Sequence, residues 1–568
     1  MKRFVAAAMR WLSSERAISA GLVALSLMVI VGWGLYLRWP AADVNIMRNE
    51  DVAGITYNAD LIAAGQRPLV DNLEPKAPGA FFLTWAIFKV WGRSVRVHER
   101  FGIFWGLLAA VGMFVGGWAL FGRISAGFVA GLLFTFGAPI TDSLTVNYNS
   151  WMITGYVWTT ALFVIGLRRG KLGWLAAAGA TMVWTALLKR QGGVVMPLFV
   201  ALIALGPHLP LPRGWVGIKR SSGLLAYVGG MALGYLPFVM FYLVTAGVSG
   251  AVVATKHFVF SATGWKYVGG QVDWNGKLDR IEDGLLGFWE FMALPTLLML
   301  MTLVSVPLRR QRAPTAVGVL LAGHMVLSVV GLALGFRFYM GYYLQALPPA
   351  AWIAAHPDGP ILRWFRRDEW PRQVWPALLR VGAVVLLLCG LLPAIVADAA
   401  DLKKVRKYRE RYNHYQHEAI KISAIVKDNS RRGDKIWVWG RWAWPVYFHA
   451  NRLSCSRYYK VLSVVTTHLD NTWRRSTSMT RFNANSPWRV VGKDIVDCRP
   501  LFVVTANNES YRGWKPIEKM LREKYVQVPR FSARAFKVYV RKDHAEKMYE
   551  PYGKRKKPRT PPAKKKLP

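Results

Sequence analysis

Three cysteines in 568 residues leave no metal–thiolate framework and at most one disulfide. Acids are scarce too: 32 Asp and Glu face 74 Lys and Arg, a net charge of +42. There is no Ser-His-Asp set, no phosphate-cradling P-loop and no dinucleotide fingerprint. Gly116-Gly117 lies inside an apolar run, where small residues serve helix packing. No internal repeat is apparent, which argues against a transporter built from inverted halves. Apolar residues, by contrast, are abundant. Hydrophobic residues make up 53%, aromatics 13%, and the mean hydropathy is +0.21. They fall in long runs up to about residue 397, followed by a polar remainder. That excludes a wholly soluble protein, a disordered chain and a disulfide-rich secreted scaffold. The basic residues cluster between apolar runs rather than along an aromatic-laced stripe, so no nucleic-acid partner is expected.

The first run, Ala17 to Leu37, follows Lys2, Arg3, Arg10 and Arg16 and is about 20 residues long, enough to cross the hydrocarbon as an uncleaved helix. A signal peptide cleaved near Ala41-Ala42 is the alternative. Further spans are expected near 100–121, 123–141, 149–167, 172–188, 193–207, 223–246, 286–307, 314–336, 340–355 and 376–397, about eleven in all. With the N-terminus in the cytoplasm, the strongly basic short loops all fall inside: Arg168-Arg169-Gly170-Lys171, Arg213 with Lys219-Arg220, Arg309 to Arg312, and Arg363 to Arg372. An odd count then puts the C-terminal part outside. The expectation is a multi-pass protein of the plasma or inner membrane.

The outer face holds more than connecting loops. In the long first loop (39–99), Ile55, Ala59 and Ile62 recur at helical spacing and Gly65 closes the segment, which suits a short interfacial helix. Ala80 to Val90 is a second apolar stretch, too short to span. Beyond the last span, Lys435 to Gly440, Leu501 to Thr505 and Ala535 to Arg541 read as strands, and Trp514 to Tyr525 as a helix. The expected organisation is a transmembrane domain (1–398), a small extracytoplasmic α/β domain (399–545) and a disordered basic tail (546–568). Cys455 and Cys498 both fall in the outer domain, where an oxidising compartment permits but does not require their pairing.

Chemistry concentrates on that outer face. Asn49-Glu50-Asp51 follows the first span, and Asp71-Asn72-Leu73-Glu74-Pro75-Lys76-Ala77-Pro78-Gly79 ends the loop's first half. Acid and base at one membrane interface can deprotonate an acceptor, hold a metal or neutralise a phosphate. A plain solvated loop has the same composition. Lys189, Arg190 and Arg337 sit at outer ends of other spans, where topology does not favour cations. Snorkelling to the interface is the alternative explanation for Lys189 and Arg337.

The order of these stretches resembles the GT-C glycosyltransferases, closest to the bacterial protein mannosyltransferase and aminoarabinose transferase type of glycosyltransferase family 39. The likeness rests on Asp51, Ala64-Gly65, Arg67-Pro68, Asp71 and Lys76-Ala77-Pro78-Gly79 in the first loop. It continues in Asn147-Tyr148-Asn149-Ser150, Leu188 to Gly192, Arg337-Phe338 through Tyr342-Tyr343-Leu344-Gln345 to Pro349, and Lys435 to Gly440 with Tyr447 and Asn451-Arg452. It implies transfer of a hexose or pentose from a polyprenyl-phosphate donor to an extracytoplasmic glycan, lipid or protein among the membrane lipids. Carried over, Asp51 with Glu50 would serve catalysis, and Lys76, Lys189, Arg190 and Arg337 would contact the donor phosphate. Glu74, Asp142 and His257 are candidates for an acceptor or divalent-metal site; two ligands alone do not define one. The chain departs from the family where Val52 follows Asp51, where Asn147 and Asn149 replace an acid, and where Gly341 replaces a His. The competing classes are a transporter of an anionic solute and a polymer-binding scaffold. The near-absence of ionisable residues at mid-span weighs against transport.

Overall fold

The computed structural model describes residues 15–43, 46–47, 50–72, 76–139, 141, 146–212, 215–260, 274–306, 315–334, 338–364, 414–440, 443–459, 488–506, 515–529, 532 and 535–549. The chain forms two compact units, Met1–Tyr412 and Asn413–Pro568. The expected boundary at 398/399, the expected span at 376–397 and the tail from Pro551 lie outside the described residues.

The first unit is helical: α1 (Glu15–Arg38), α2 (Glu50–Ala63), α3 (Gly79–Trp91), α4 (Val95–Phe121), α5 (Ile124–Ala138), α6 (Tyr148–Arg169) and α7 (Leu172–Leu188) come first. A 3-10 turn (Arg190–Val195) leads into α8 (Met196–Leu205), then α9 (Arg220–Phe260), α10 (Trp274–Ser305) and α11 (Ala316–Ala333). Among the described residues six helices are long and apolar enough to cross a membrane, and Gly79–Trp91, Ile124–Ala138, Leu172–Leu188 and Arg190–Leu205 are shorter apolar helices. At a rise of about 1.5 Å per residue, the 27 residues of α4 exceed the bilayer core. Its N-terminus is fixed by Ser94, whose side chain accepts from the Val97 N–H, and its end by Gly122 in the left-handed region.

The run at 340–355, read as one span, is instead α12 (Met340–Tyr343) and α13 (Leu347–Ala354), with α14 (Pro360–Trp364) beyond. Pro348 and Pro349 explain the break. They lack the N–H that a continuous helix needs but are tolerated in a first turn. Gly116 and Gly117 serve packing: a Cβ at Gly116 would meet the Trp352 ring at 2.7 Å, and one at Gly117 the Ala126 carbonyl at 3.0 Å. Helices α4 and α6 are bolted by side chains reaching backbone carbonyls. Trp105 Nε1 donates to Trp151 O (2.9 Å), Thr154 Oγ1 to Trp105 O (2.9 Å) and Trp158 Nε1 to Leu108 O (2.9 Å). In an apolar surround such satisfied donors fix register.

The second unit holds α15 (His414–Asp428), β1 (Ile436–Trp439), α16 (Pro445–Ala450), α17 (Trp488–Cys498), β2 (Phe502–Ala506), α18 (Lys515–Lys524), β3 (Tyr525–Gln527), β4 (Phe536–Arg541) and α19 (Lys542–Tyr549). The sheet order is β1-β2-β4-β3. β1 and β2 are parallel, with Ile436 opposite Phe502, and β4 runs antiparallel to both neighbours. Trp437, Trp439, Val503, Ile517 and Leu521 form one core cluster. Cys455 and Cys498 are disulfide-bonded. Arg452, from the stretch resembling the family, is structural: its guanidinium donates to the carbonyls of Lys427, Ser430, Ala450 and Asn451. The last helix runs through the expected boundary at 545/546.

Candidate functional site

The segment expected as the first outer loop is a helical hairpin, α2 against α3, tied down by ion pairs. Gly65 (φ 83°) ends α2 in a conformation costly for other residues. Asp71 accepts from the Arg67 backbone N–H (2.7 Å), from Nε (2.7 Å) and from Nη2 (2.5 Å). That hydrogen bonding holds the Asp71 carboxyl below its ordinary range. Arg67 also donates to Thr245 O (3.0 Å), and the Tyr242 hydroxyl to Pro68 O (2.7 Å), anchoring the loop on α9. Asp60 takes both arms of Arg93 at 2.6 Å. Burial nevertheless raises its pKa, outweighing the guanidinium. These two carboxylates are committed to holding the loop. The helix α2, expected to lie at the interface, is buried from Val52 through Ala59.

Asp51 is different. Its carboxylate receives the Lys76 ammonium, and the side chains are 41% and 37% exposed, against 11% for Asp60. It stands in the first turn of α2, where the helix dipole favours an acid. The Lys76 Nζ also lies 4.3 Å from the centroid of the Tyr148 ring. Gly79 brings this loop against the end of α7: a Cβ there would stand 2.6 Å from the Leu187 carbonyl oxygen.

The second lysine arrives from that same helix end. Lys189 is extended (φ −158°, ψ 124°), so its side chain leaves the α7 axis. Its ammonium donates to Asn149 Oδ1 and lies 3.8 Å from the Tyr342 ring centroid. The two lysines thus meet consecutive residues, Tyr148 and Asn149, of one helical turn. That turn is built by Asn147, the N-cap of α6, whose Oδ1 accepts from Asn149 N–H (2.8 Å) and Ser150 N–H (3.2 Å). Below it, His98 Nε2 meets the Val146 carbonyl at 3.3 Å.

Of the residues singled out from sequence, the structure joins Asp51 with Lys76 and Lys189 with Asn149. Arg190 instead donates to the His257 carbonyl (3.0 Å). Glu50 opens α2, with its side chain outside the described residues; Glu74, Asp142 and Arg337 also lie outside them. Among the described residues there is no group of three His, Cys, Asp or Glu. Sequence reasoning gave no role to the Tyr148 and Tyr342 rings or to the cap at Asn147. The Asn-x-x-Ser spacing of 147–150 before an apolar run was the available signal for that cap.

No protein-family model and no curated protein matches the sequence. Solved structures do. ArnT from Cupriavidus metallidurans in the apo state aligns at TM-score 0.56 and 13% identity over 92% of this chain and 98% of its own. The same protein bound to undecaprenyl phosphate aligns at TM-score 0.52 and 13% identity over 93% and 98%. The Archaeoglobus fulgidus oligosaccharyltransferase in complex with Zn and sulfate aligns at 0.55 and 14% over 91% and 73%. The chain shares the fold of these neighbours.

Proposed function

We propose that the protein is an integral-membrane glycosyltransferase. It moves a hexose or pentose from a polyprenyl-phosphate donor to an envelope glycan, lipid or protein on the extracytoplasmic face. The observation carrying this reading is the convergence of Lys76 and Lys189 on the first turn of α6, with the Asp51 carboxylate on one of them. The fold neighbour bound to undecaprenyl phosphate supports the donor class. The Cys455–Cys498 disulfide supports an oxidising compartment for the second unit and, with the basic inner loops, a cytoplasmic N-terminus.

In this reading the donor phosphate takes its place at the two ammonium groups. Asp51 accepts the proton of the acceptor hydroxyl or amine as that atom bonds to the anomeric carbon. The bond from anomeric carbon to phosphate oxygen breaks, and its electrons leave with the polyprenyl phosphate, whose charge Lys76 and Lys189 offset. Lys76 also holds the Asp51 carboxylate in place until the acceptor arrives. No step is routed through a metal. The test is to give purified protein a panel of radiolabelled polyprenyl-phosphate sugars. Release of polyprenyl phosphate from at least one is expected, and silence across the panel would overturn the reading.

A further inference from the structure

A buried amide behind the site is not needed by the chemistry above. Gln345, 2% exposed, follows α12 and donates from Nε2 to the Gln191 carbonyl at 3.0 Å. Polar side chains inside an apolar helical unit are costly unless bonded, and they mark functional positions. The Tyr156 hydroxyl pairs with Ser328 Oγ at 2.6 Å on α11, the helix that also borders the Gln345 amide. Space for it is kept by Gly331, where a Cβ would stand 2.7 Å from Nε2.

The spacing of these contacts gives the amide a purpose. Asn149 and Tyr156 are seven residues apart and share one face of α6. Tyr342 and Gln345 are three apart on the segment opposite. Each element touches Lys189, through Asn149 or Tyr342. The segment opposite also holds the backbone just beyond Lys189, through Gln345. Lys189 itself is where α7 gives way to the 3-10 turn, so the path of that turn decides where its ammonium points.

We propose that Gln345 is a positioning residue that, by holding the Gln191 carbonyl, aims the Lys189 ammonium at the first turn of α6. It acts through Lys189 and touches no substrate. Its bearing on donor binding rests on the phosphate role given to Lys189 above, but its effect on Lys189 does not.

The test therefore has two readouts. The first is the rate at which a succinimidyl ester acylates Lys189 in the full-length protein, followed by peptide mass spectrometry with Lys76 as internal reference. Gln345→Met should change the Lys189 rate severalfold and leave Lys76 unchanged. Gly331→Ala, which crowds the same amide from α11, should change it in the same sense and guards against a misfolded first variant. Equal Lys189 rates in wild type and both variants would overturn the proposal. The second readout is affinity for undecaprenyl phosphate in nanodiscs. Gln345→Met should weaken it about tenfold, the scale of one lost hydrogen bond to a charged-site scaffold. In a Lys189→Ala background it should weaken it little further, as expected for residues acting as one unit. Full additivity would make Gln345 a general packing residue and overturn the assignment. If wild type binds no undecaprenyl phosphate, the donor reading falls, and the acylation rates still decide Gln345.

Discussion

Lys76 and Lys189 come from separate regions, one from the loop before α3 and one from the end of α7, and their surroundings are built alike. Among the described residues each ammonium faces a tyrosine ring and a polar side chain, and each touches α6 in its first turn. The polar partner is a carboxylate for Lys76 and an amide for Lys189. A partly exposed ion pair contributes little stability, typically below about 1 kcal/mol, so Asp51–Lys76 is poorly explained as a structural brace. The loop already has two better braces in Arg67–Asp71 and Arg93–Asp60. In the proposed reaction the difference gives the arms different emphasis: both ammonium groups face the leaving phosphate, and Lys76 in addition serves the base.

Substitutions should separate the arms, beginning with the base. Asp51→Asn is expected to lower turnover by roughly 10²–10⁴-fold, the usual worth of a positioned general base, while donor binding persists. Single-turnover release of polyprenyl phosphate measures it; near-normal release would pass the role to another acid. Lys189→Ala should cost donor affinity, about 2–5 kcal/mol if the phosphate is desolvated, with a smaller loss of turnover from bound donor. Lys76→Ala should show the reverse balance, and matching profiles for the two would erase the comparison. Breaking the disulfide by Cys455→Ser removes a closure over a sequence separation of 43 residues. In the chain-entropy account that destabilises the second unit by about 2–4 kcal/mol, visible as a lower Tm that reductant reproduces in wild type. Donor affinity should not move.

The smallest effect concerns pH. Asp71 has a depressed folded pKa, so its stabilising contribution is complete above the ordinary value of 3.8 and is lost as pH falls through the depressed one. The Tm difference between wild type and Asp71→Asn should be steady near neutrality and shrink below pH 3.8. A difference that grows on acidification would assign Asp71 the wrong sign.

Much of the fold was legible because apolar runs report helices directly, and β1, β2 and β4 carried their own hydrophobic signal. The run at 340–355 misled because hydropathy does not register that Pro348 and Pro349 interrupt a helix. β3 was missed because three residues at a sheet edge, two of them exposed, leave no pattern. In the site, Asp51, Lys76 and Lys189 stood out as charges next to apolar runs. Their aromatic partners did not, since Tyr148 and Tyr342 look like any other ring in a chain this rich in them. The anchoring role of Gln345 depends on a contact 154 residues away, which spacing along the chain does not reveal.

The central claim is that two lysines from distant segments make one anion site on the first turn of α6. Equilibrium binding of undecaprenyl phosphate in nanodiscs to wild type, Lys76→Ala, Lys189→Ala and the double variant tests it most directly. One shared site predicts weakened binding in each single variant and a combined loss that departs from the sum of the two. Equal affinity across all four proteins would contradict it.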